Sequence, residues 1–201
     1  MKKIIPLCII LLLFGCSAKP AKQNEKKNAC DDGENSSCAI VKSADMSAYE
    51  GFTSKDNQFV VSTMDDVLKT LKDKGNAFVY LGYPKCPWCI DALPIVNEEA
   101  KKAGVHIQYV ETRDSDKKLL YTDEQKKTLI PYVEPYLNKD DKAEDGSYKL
   151  FVPFFFVIKE GKVVSGHIGT VDSHDATKGK MSENEEKEFT KIIEKMLKDY
   201  K

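Results

Sequence analysis

The sequence predicts an α/β protein with a central mixed sheet flanked by helices. Two observations favour this class. Apolar runs of strand length first alternate with amphipathic helical segments, and later two apolar runs are separated only by a tight turn before a last amphipathic helix. A strand, helix, strand order implies a parallel pair with a right-handed crossover, whereas a tight turn implies an antiparallel hairpin. Together these two units make the sheet mixed.

The first elements follow from caps and apolar runs. Three runs of strand length occur in turn, at 58–61, 77–81 and 105–110. Thr63 and Asp66 form a capping box for a helix that extends through Lys74. A second helix is predicted from about Pro87 to Lys102, because proline is favoured at the first helical position and Gly104 is a typical C-terminal stop.

The stretch 114–149 is the least regular part of the chain. Thr122 and Gln125 form a second capping pattern, but Pro131 and Pro135 are expected to break or restart any helix there. We therefore predict an insert of about these bounds. It either borders a substrate groove or forms a helical elaboration that packs away from it.

The last elements are a hairpin and a helix. Residues 151–158 and 160–164 predict two antiparallel strands around a tight turn at Gly161. A helix is predicted over Glu183–Tyr200, capped by Ser182 together with Glu185. Its apolar stripe is predicted to be buried and consists of Phe189, Ile192, Ile193, Met196, Leu197 and Tyr200.

Composition excludes several functional classes. Thirty-one Lys and Arg residues nearly balance 32 Asp and Glu residues, so no basic surplus indicates a nucleic-acid partner. Hydrophobic residues make up 41% of the 201 residues, enough for a folded core, and six cysteines are too few for a disulfide-scaffolded protein. We expect a monomer without a cofactor.

The N-terminus has the layout of a bacterial lipoprotein signal. Two lysines precede eleven apolar residues, which as a helix would rise about 16 Å, about half the hydrocarbon core of a bilayer. Leu13-Phe14-Gly15-Cys16 resembles a lipobox, whose cysteine is lipidated after cleavage. We therefore predict a signal peptide at 1–15, a lipidated Cys16 with a flexible tether at 16–50, and a domain at 51–201. The alternative is an ordinary cleaved signal with Cys16 incidental.

The remaining cysteines form two pairs. Cleavage removes Cys8 and lipidation uses Cys16, which leaves four cysteines in an exported, disulfide-permissive setting. Cys30 and Cys38 either staple a loop in the tether or act as an internal redox partner of the other pair.

Cys86-Pro87-Trp88-Cys89 carries the predicted chemistry. The motif follows a buried strand and opens a helix, so unpaired N–H groups and the helix dipole stabilise a thiolate at Cys86. Lys85 adds a positive charge. Cys86 is predicted to be the exposed nucleophile, and Cys89, one turn into the helix, the resolving thiol that closes the Cys86–Cys89 disulfide.

Two alternatives to redox chemistry at this motif are disfavoured. A four-cysteine zinc site is disfavoured because seven residues separate Cys30 from Cys38, whereas structural ligands are usually about two to four residues apart. An inert Cys86–Cys89 disulfide is disfavoured because so short a ring removes little chain entropy. No metal site is expected. The histidines at 106, 167 and 174 are predicted to be ordinary surface or strand residues.

Several marks beyond the motif resemble thioredoxin-fold thiol-disulfide oxidoreductases. Pro94 lies eight residues after Cys86, Val152-Pro153 precedes an apolar strand, and Gly169 falls where that family keeps a glycine. The chain is also similar to thioredoxin-like proteins of Gram-positive bacteria known as bacteriocin transport accessory proteins. The resemblance implies a thioredoxin-like fold, a cis peptide bond before Pro153 that places this proline against the Cys86–Cys89 pair, and pairing of the Val152 backbone with a substrate strand.

The sequence departs from that family at two positions near the motif. Tyr80 stands where the family often carries a buried carboxylate, and Lys85 replaces an aromatic residue. The insert at 114–149 is a further departure.

The resemblance and the motif together predict the function. We expect a membrane-anchored oxidoreductase that exchanges disulfides with exported proteins and works with a membrane redox partner. Reduction potentials in this class span roughly −270 to −120 mV, so the direction of electron flow stays open. The alternative is a non-catalytic lipoprotein of the same fold that binds a secretion or metal-handling partner.

Overall fold

A computed structural model describes residues 42–139 and 147–201. The predicted signal peptide at 1–15, the lipidation site at Cys16 and the Cys30–Cys38 pair lie outside these residues. So does most of the predicted tether, together with residues 140–146 of the insert.

The described residues form a five-stranded mixed sheet with helices on both faces. The strands are β1 (Phe59–Val61), β2 (Ala77–Gly82), β3 (Ile107–Glu111), β4 (Phe154–Lys159) and β5 (Lys162–Ile168). The helices are α1 (Met64–Lys72), α2 (Pro87–Ala103), α3 (Asp123–Val133) and α4 (Glu183–Tyr200), with a 3₁₀ turn over Glu134–Tyr136. Strand order is β1-β3-β2-β4-β5. The first three strands are parallel, and β4 is antiparallel to both of its neighbours. This is a thioredoxin-like fold, and the predicted fold class is confirmed.

The alternation of side chains along the strands divides the core between the two faces of the sheet. On one face, Phe78 and Tyr80 of β2 and Phe155 of β4 pack against α2 and α4. On the other, Val79 and Leu81 of β2 pack against α1 and α3. Both faces of β2 are covered, which explains why its sequence is a continuous apolar run.

The three helices for which a capping box was predicted, α1, α3 and α4, each begin with one. In each one the side chain of the capping residue accepts a hydrogen bond from the backbone N–H three residues on; the caps are Thr63, Thr122 and Ser182. Helix α4 has the predicted bounds. Helix α1 ends two residues earlier than predicted, because Lys74 adopts a left-handed φ of 56°.

The prediction that Pro131 breaks its helix is wrong. Pro131 lies inside α3, which continues to Val133. A proline near the end of a helix removes only one hydrogen bond, and the buried side chains of Leu129 and Val133 hold the last turns against the sheet. The α-helix does end before Pro135, which lies in the 3₁₀ turn that follows α3.

The predicted tether boundary at residue 50 is also wrong. Met46 and Tyr49 are each only 2% exposed and belong to the core on the α2 side, as does Ala44. The Ala44 N–H donates to the Phe59 carbonyl at 2.9 Å, so this segment adds a backbone pairing beside β1. Residues 17–41 are mostly polar, and the short apolar pattern that follows them, at Ala44, Met46 and Tyr49, was therefore assigned to the tether although it packs on the sheet.

The described part of the insert divides in two. Helix α3 packs against α1 and β5, on the face opposite α2, which agrees with the helical elaboration. The loop before it instead approaches the motif, because the Lys85 Nζ donates to the Ser115 carbonyl at 2.7 Å. Among residues 42–139 and 147–201, no helix has the length and apolarity needed to cross a membrane.

Candidate active site at Cys86 and Cys89

The Cys-x-x-Cys motif lies where β2 passes into α2. Cys86 is the N-cap residue of α2, with extended φ and ψ of −90° and 115°, and Pro87 occupies the first turn. A turn in which the Cys86 N–H donates to the Tyr83 carbonyl at 3.2 Å leads into the helix. Local sequence alone thus places the first sulfur at the positive end of α2.

The Cys86 sulfur acts as the helix cap. It accepts a hydrogen bond from the Cys89 N–H at 3.3 Å, and the pair is present as free thiols. The hydrogen bond with the Cys89 side chain and those from the Cys89 and Trp88 N–H groups lower the pKa of Cys86, against the opposing effect of burial. Cys86 is therefore the thiol that ionises first.

Cys89 has the opposite electrostatic character. Its side chain is fully buried, and this desolvation, followed by the hydrogen bond and charge of Cys86, raises its pKa well above the ordinary value. The neighbouring Tyr80 hydroxyl, as a hydrogen-bond donor, favours the Cys89 thiolate and partly opposes this rise in pKa. The pKa values of the two thiols therefore differ in opposite directions from the ordinary value: Cys86 is suited to act as a nucleophile, whereas Cys89 stays protonated until it is needed.

The prediction that Cys86 is exposed needs correction. The residue is only 3% exposed. Its thiol donates toward the carbonyl oxygen of Val152 at 3.5 Å, so the segment before β4 covers it. The cover comes from a residue 66 positions away in sequence, which local pattern could not reveal.

The remaining predicted site residues surround this pair. The Val152–Pro153 peptide bond is cis, as the resemblance implies. Trp88 and Val152 are half-buried against the α2-side core, whereas Lys85 and Pro87 are exposed. Cys16, Cys30 and Cys38 lie outside the described residues.

A cation lies close to the turn before the motif. The Arg113 guanidinium carbon is 6.0 Å from the centre of the Tyr83 ring, which is within the range of a cation–π contact. Burial, followed by the charges of Cys86 and Cys89, raises the pKa of Tyr83. The chain's single arginine thus stands near the motif.

Sequence reasoning missed a buried contact between the active-site helix and the loop after β5. The Nε2 atom of His174 lies 2.9 Å from Asp91 Oδ2, and the His174 side chain is only 3% exposed. This corrects the prediction that His174 is an ordinary surface or strand residue. The partners are 83 positions apart, and no spacing pattern links them.

Tyr49 was also missed, because it was placed in the tether. Its hydroxyl lies 3.2 Å from that of Tyr80 and 3.0 Å from that of Tyr109. The signal that could have revealed it is the apolar series Ala44, Met46, Tyr49 and Phe52, which differs from the polar residues before it.

The described residues around Cys86 and Cys89 offer no cluster of metal ligands. Within 42–139 and 147–201, no three His, Cys, Asp or Glu side chains cluster in a way that could hold a metal ion. Cys86 and Cys89 are the only site thiols in this part of the chain. What the pair can do chemically is form and break a disulfide.

The fold and the motif together define a thioredoxin-like domain with a Cys-x-x-Cys pair at the N-terminus of α2. No family model and no curated protein matches the chain.

Three solved structures show what the fold is similar to. Thioredoxin of Fasciola hepatica is 19% identical over 70% of this chain and 98% of that chain, with a TM-score of 0.38. A putative oxidoreductase with a thioredoxin fold is 15% identical over 54% and 82%, with a TM-score of 0.34. Oxidised thioredoxin O2 of Arabidopsis thaliana is 14% identical over 63% and 91%, with a TM-score of 0.35. At these identities and TM-scores, the functional conclusion depends on the geometry around Cys86 and Cys89.

Proposed function

We propose that the chain is a thiol-disulfide oxidoreductase that acts on exported proteins through Cys86 and Cys89. One observation carries the proposal: a thiol of lowered pKa caps a helix, and one turn away on that helix lies a buried thiol of raised pKa. An inert disulfide needs no such difference in acidity, whereas disulfide exchange needs one thiolate to attack and a second thiol to resolve.

The reaction follows from this division. The Cys86 thiolate attacks one sulfur of a substrate disulfide, a Cys86–substrate bond forms, and the second substrate sulfur leaves as a thiolate. Cys89 then loses its proton and attacks the Cys86 sulfur. The Cys86–Cys89 bond forms while the first substrate sulfur leaves, so the substrate gains two electrons and the enzyme pair loses them. Run in reverse, the same steps oxidise a dithiol substrate.

The direction depends on the reduction potential of the pair. Thiolate stabilisation at Cys86 favours the reduced enzyme and therefore raises the potential toward that of an oxidase. Equilibration of the full chain with glutathione buffers measures that potential. A value below about −270 mV, the potential of thioredoxin, would exclude the oxidase role.

The substrate side of the proposal rests on the segment before β4. The Val152 carbonyl faces the Cys86 sulfur, so a peptide strand that reaches this sulfur must pass the Val152 backbone. Phe151 is 41% exposed beside it and offers an apolar contact. Trp88 and Lys85 complete the rim, and the loop near Ser115, tied to Lys85, is the part of the insert that borders it.

The cellular location is proposed from the N-terminal sequence. Lys2 and Lys3, the apolar run and Cys16 support export followed by a lipid anchor on the outer face of the cell membrane. Labelling cells with a fatty acid is expected to mark the wild-type chain and not Cys16→Ala. Equal labelling of both chains would contradict the anchor.

The activity is tested by insulin reduction with dithiothreitol and by oxidative refolding of a reduced protein substrate. Cys86→Ser is expected to abolish turnover, and Cys89→Ser to accumulate a mixed disulfide on Cys86. The matched control is Cys30→Ser/Cys38→Ser, which removes two thiols but leaves the proposed site intact. Turnover by Cys86→Ser equal to wild type would exclude the oxidoreductase and leave the non-catalytic binding role.

The same trapping experiment addresses Cys30 and Cys38. If they pass electrons to the active site, Cys89→Ser is expected to collect a disulfide between Cys86 and one of them. If they staple the tether, the trapped species holds only substrate, and the control variant retains its potential and its turnover with a physiological donor.

A further inference from the structure

Three tyrosine hydroxyls form a connected row behind Cys89. Tyr80 lies on β2, Tyr109 on β3, and Tyr49 on the N-terminal segment that packs under α2. The Tyr49 hydroxyl oxygen is 3.2 Å from that of Tyr80 and 3.0 Å from that of Tyr109. The Tyr80 hydroxyl and the Cys89 thiol also act on each other's pKa, so the row begins beside a sulfur that reacts.

The backbone makes room for this arrangement at Gly82. A Cβ atom added to Gly82 would overlap the Tyr80 hydroxyl and the ring carbon that bears it. The Tyr80 side chain therefore lies along β2 toward the end that leads into the Cys86 turn. Any larger residue at position 82 would displace the hydroxyl from Cys89.

Exposure along the row increases away from the sulfur. Cys89 and Tyr80 are fully buried, Tyr49 is 2% exposed and Tyr109 is 7% exposed. Water therefore has no direct access to the Cys89 thiol. The proton that Cys89 must lose before it attacks Cys86 needs a path through protein groups.

The hydrogen bonds have a definite direction in the dithiol form. Each hydroxyl carries one hydrogen. The Tyr49 hydroxyl donates to Tyr109, so in its contact with Tyr49 the Tyr80 hydroxyl is the donor. The Tyr80 oxygen is then free to accept from the Cys89 S–H, and Tyr80 can donate to the sulfur, which favours the thiolate, only after the Cys89 proton has moved.

We propose that Tyr80, Tyr49 and Tyr109 form a proton relay that carries the Cys89 proton to solvent during resolution of the mixed disulfide, an inference that rests on the proposed function. The Cys89 proton moves to Tyr80, the Tyr80 proton to Tyr49 and the Tyr49 proton to Tyr109, whose own proton passes to water. Every hydroxyl stays neutral and now donates toward the sulfur. The Cys89 thiolate attacks Cys86, and the substrate sulfur leaves with its electron pair.

The charges around the row suit a relay of neutral groups. Burial raises the pKa of Tyr80 and of Tyr49 well above the ordinary value for tyrosine, so neither is expected to ionise. The other titratable groups that act on the row or on Cys89 are Cys86, Tyr83 and Glu111, the last beside Tyr109. Asp91, which contacts His174, lies on α2 two residues beyond Cys89. Tyr80 touches a reacting atom and is a catalytic residue, whereas Tyr49 and Tyr109 act through it.

The test follows resolution in a single turnover. The full chain in detergent, with serine at Cys8, Cys16, Cys30 and Cys38, is mixed with 5,5′-dithiobis(2-nitrobenzoate). The first thionitrobenzoate released reports attack by Cys86, and the second reports attack by Cys89 on the mixed disulfide. Tyr80→Phe and Tyr109→Phe each remove one hydroxyl and keep the ring. Tyr136→Phe, whose ring packs against Gly166 on the opposite face, is the matched control.

Both relay variants are expected to leave the first release unchanged and to slow the second at least tenfold at neutral pH, since positioned proton transfer contributes roughly 10²–10⁴-fold. In wild type the second release is expected to be slower in deuterium oxide, with a curved dependence on deuterium fraction because several protons move together. The variants lose this curvature, and the control retains it.

Several outcomes would overturn the relay. They are slowing by Tyr80→Phe without slowing by Tyr109→Phe, equal slowing of both releases, slowing by Tyr136→Phe, and no isotope effect on the second release in wild type. The last measurement needs no variant, so it decides even if a substitution prevents folding. Failure of the proposed function would appear separately, as absent turnover of protein substrates alongside an intact biphasic release.

Discussion

Replacing Met46 with alanine should destabilise the domain, although sequence reasoning placed this residue in a flexible tether. Met46 is 2% exposed and belongs to the core on the α2 side. Truncation of a buried methionine to alanine lowers the free energy of unfolding by about 2–5 kcal/mol. The segment is joined to the sheet on one side only, so it can shift to fill part of the cavity that the truncation leaves. We therefore expect a loss in the lower half of this range, about 3 kcal/mol.

Urea unfolding followed by circular dichroism measures this loss. With a dependence on urea of about 2 kcal/mol per M, the midpoint should fall by about 1.5 M. Leu120→Ala is the control, because Leu120 is 51% exposed and its truncation should change stability by no more than about 0.5 kcal/mol. Met46→Leu nearly conserves volume and should lose less than about 1.5 kcal/mol. A Met46→Ala midpoint equal to that of Leu120→Ala would refute the packing of this segment on the core.

Three further predictions concern the site and its supporting helix. Because the pKa of Cys86 is lowered and that of Cys89 is raised, iodoacetamide at neutral pH should modify Cys86 first, and mass spectrometry of a Cys86→Ser chain should show Cys89 almost unmodified. A lowered folded-state pKa stabilises the folded dithiol chain above the unfolded value of about 8.5, and this contribution is lost as the pH falls through the folded value. As the pH is lowered, the urea midpoint of the reduced wild-type chain should therefore decrease more steeply than that of Cys86→Ser. Plots of midpoint against pH that run parallel for the two chains would contradict the lowered pKa. Ser182→Ala should lower the free energy of unfolding by about 1 kcal/mol, because Ser182 and Glu185 cap each other's backbone at the start of α4. A melting temperature equal to that of wild type would exclude this capping role.

The parts of the fold that could be predicted are those specified by near neighbours in sequence. Capping boxes require residues three positions apart, and the stripe on α4 repeats with the helical period. The Cys86-Pro87-Trp88-Cys89 motif belongs to this group, because a helix that begins at Pro87 places the first sulfur at its N-cap. Local chemistry was therefore enough to assign the two thiols different roles.

Errors arose where distant segments compete with local preference. Pro131 remains inside α3 because buried neighbours outweigh one lost hydrogen bond, and the polar surroundings of Met46 concealed a segment that the edge of the sheet binds. Both outcomes depend on packing against segments that are distant in sequence.

Sequence by itself determined the fold class, the order of most elements and the position of the reactive pair, since periodicity, caps and the motif are all local. Only the tertiary structure decided what surrounds that pair: the Val152 carbonyl over the Cys86 sulfur and the Tyr80–Tyr49 contact behind Cys89. These partners are 66 and 31 positions apart. The physical reason is that burial, which sets the acidity of Cys89 and the path of its proton, arises only when the sheet brings separate segments together.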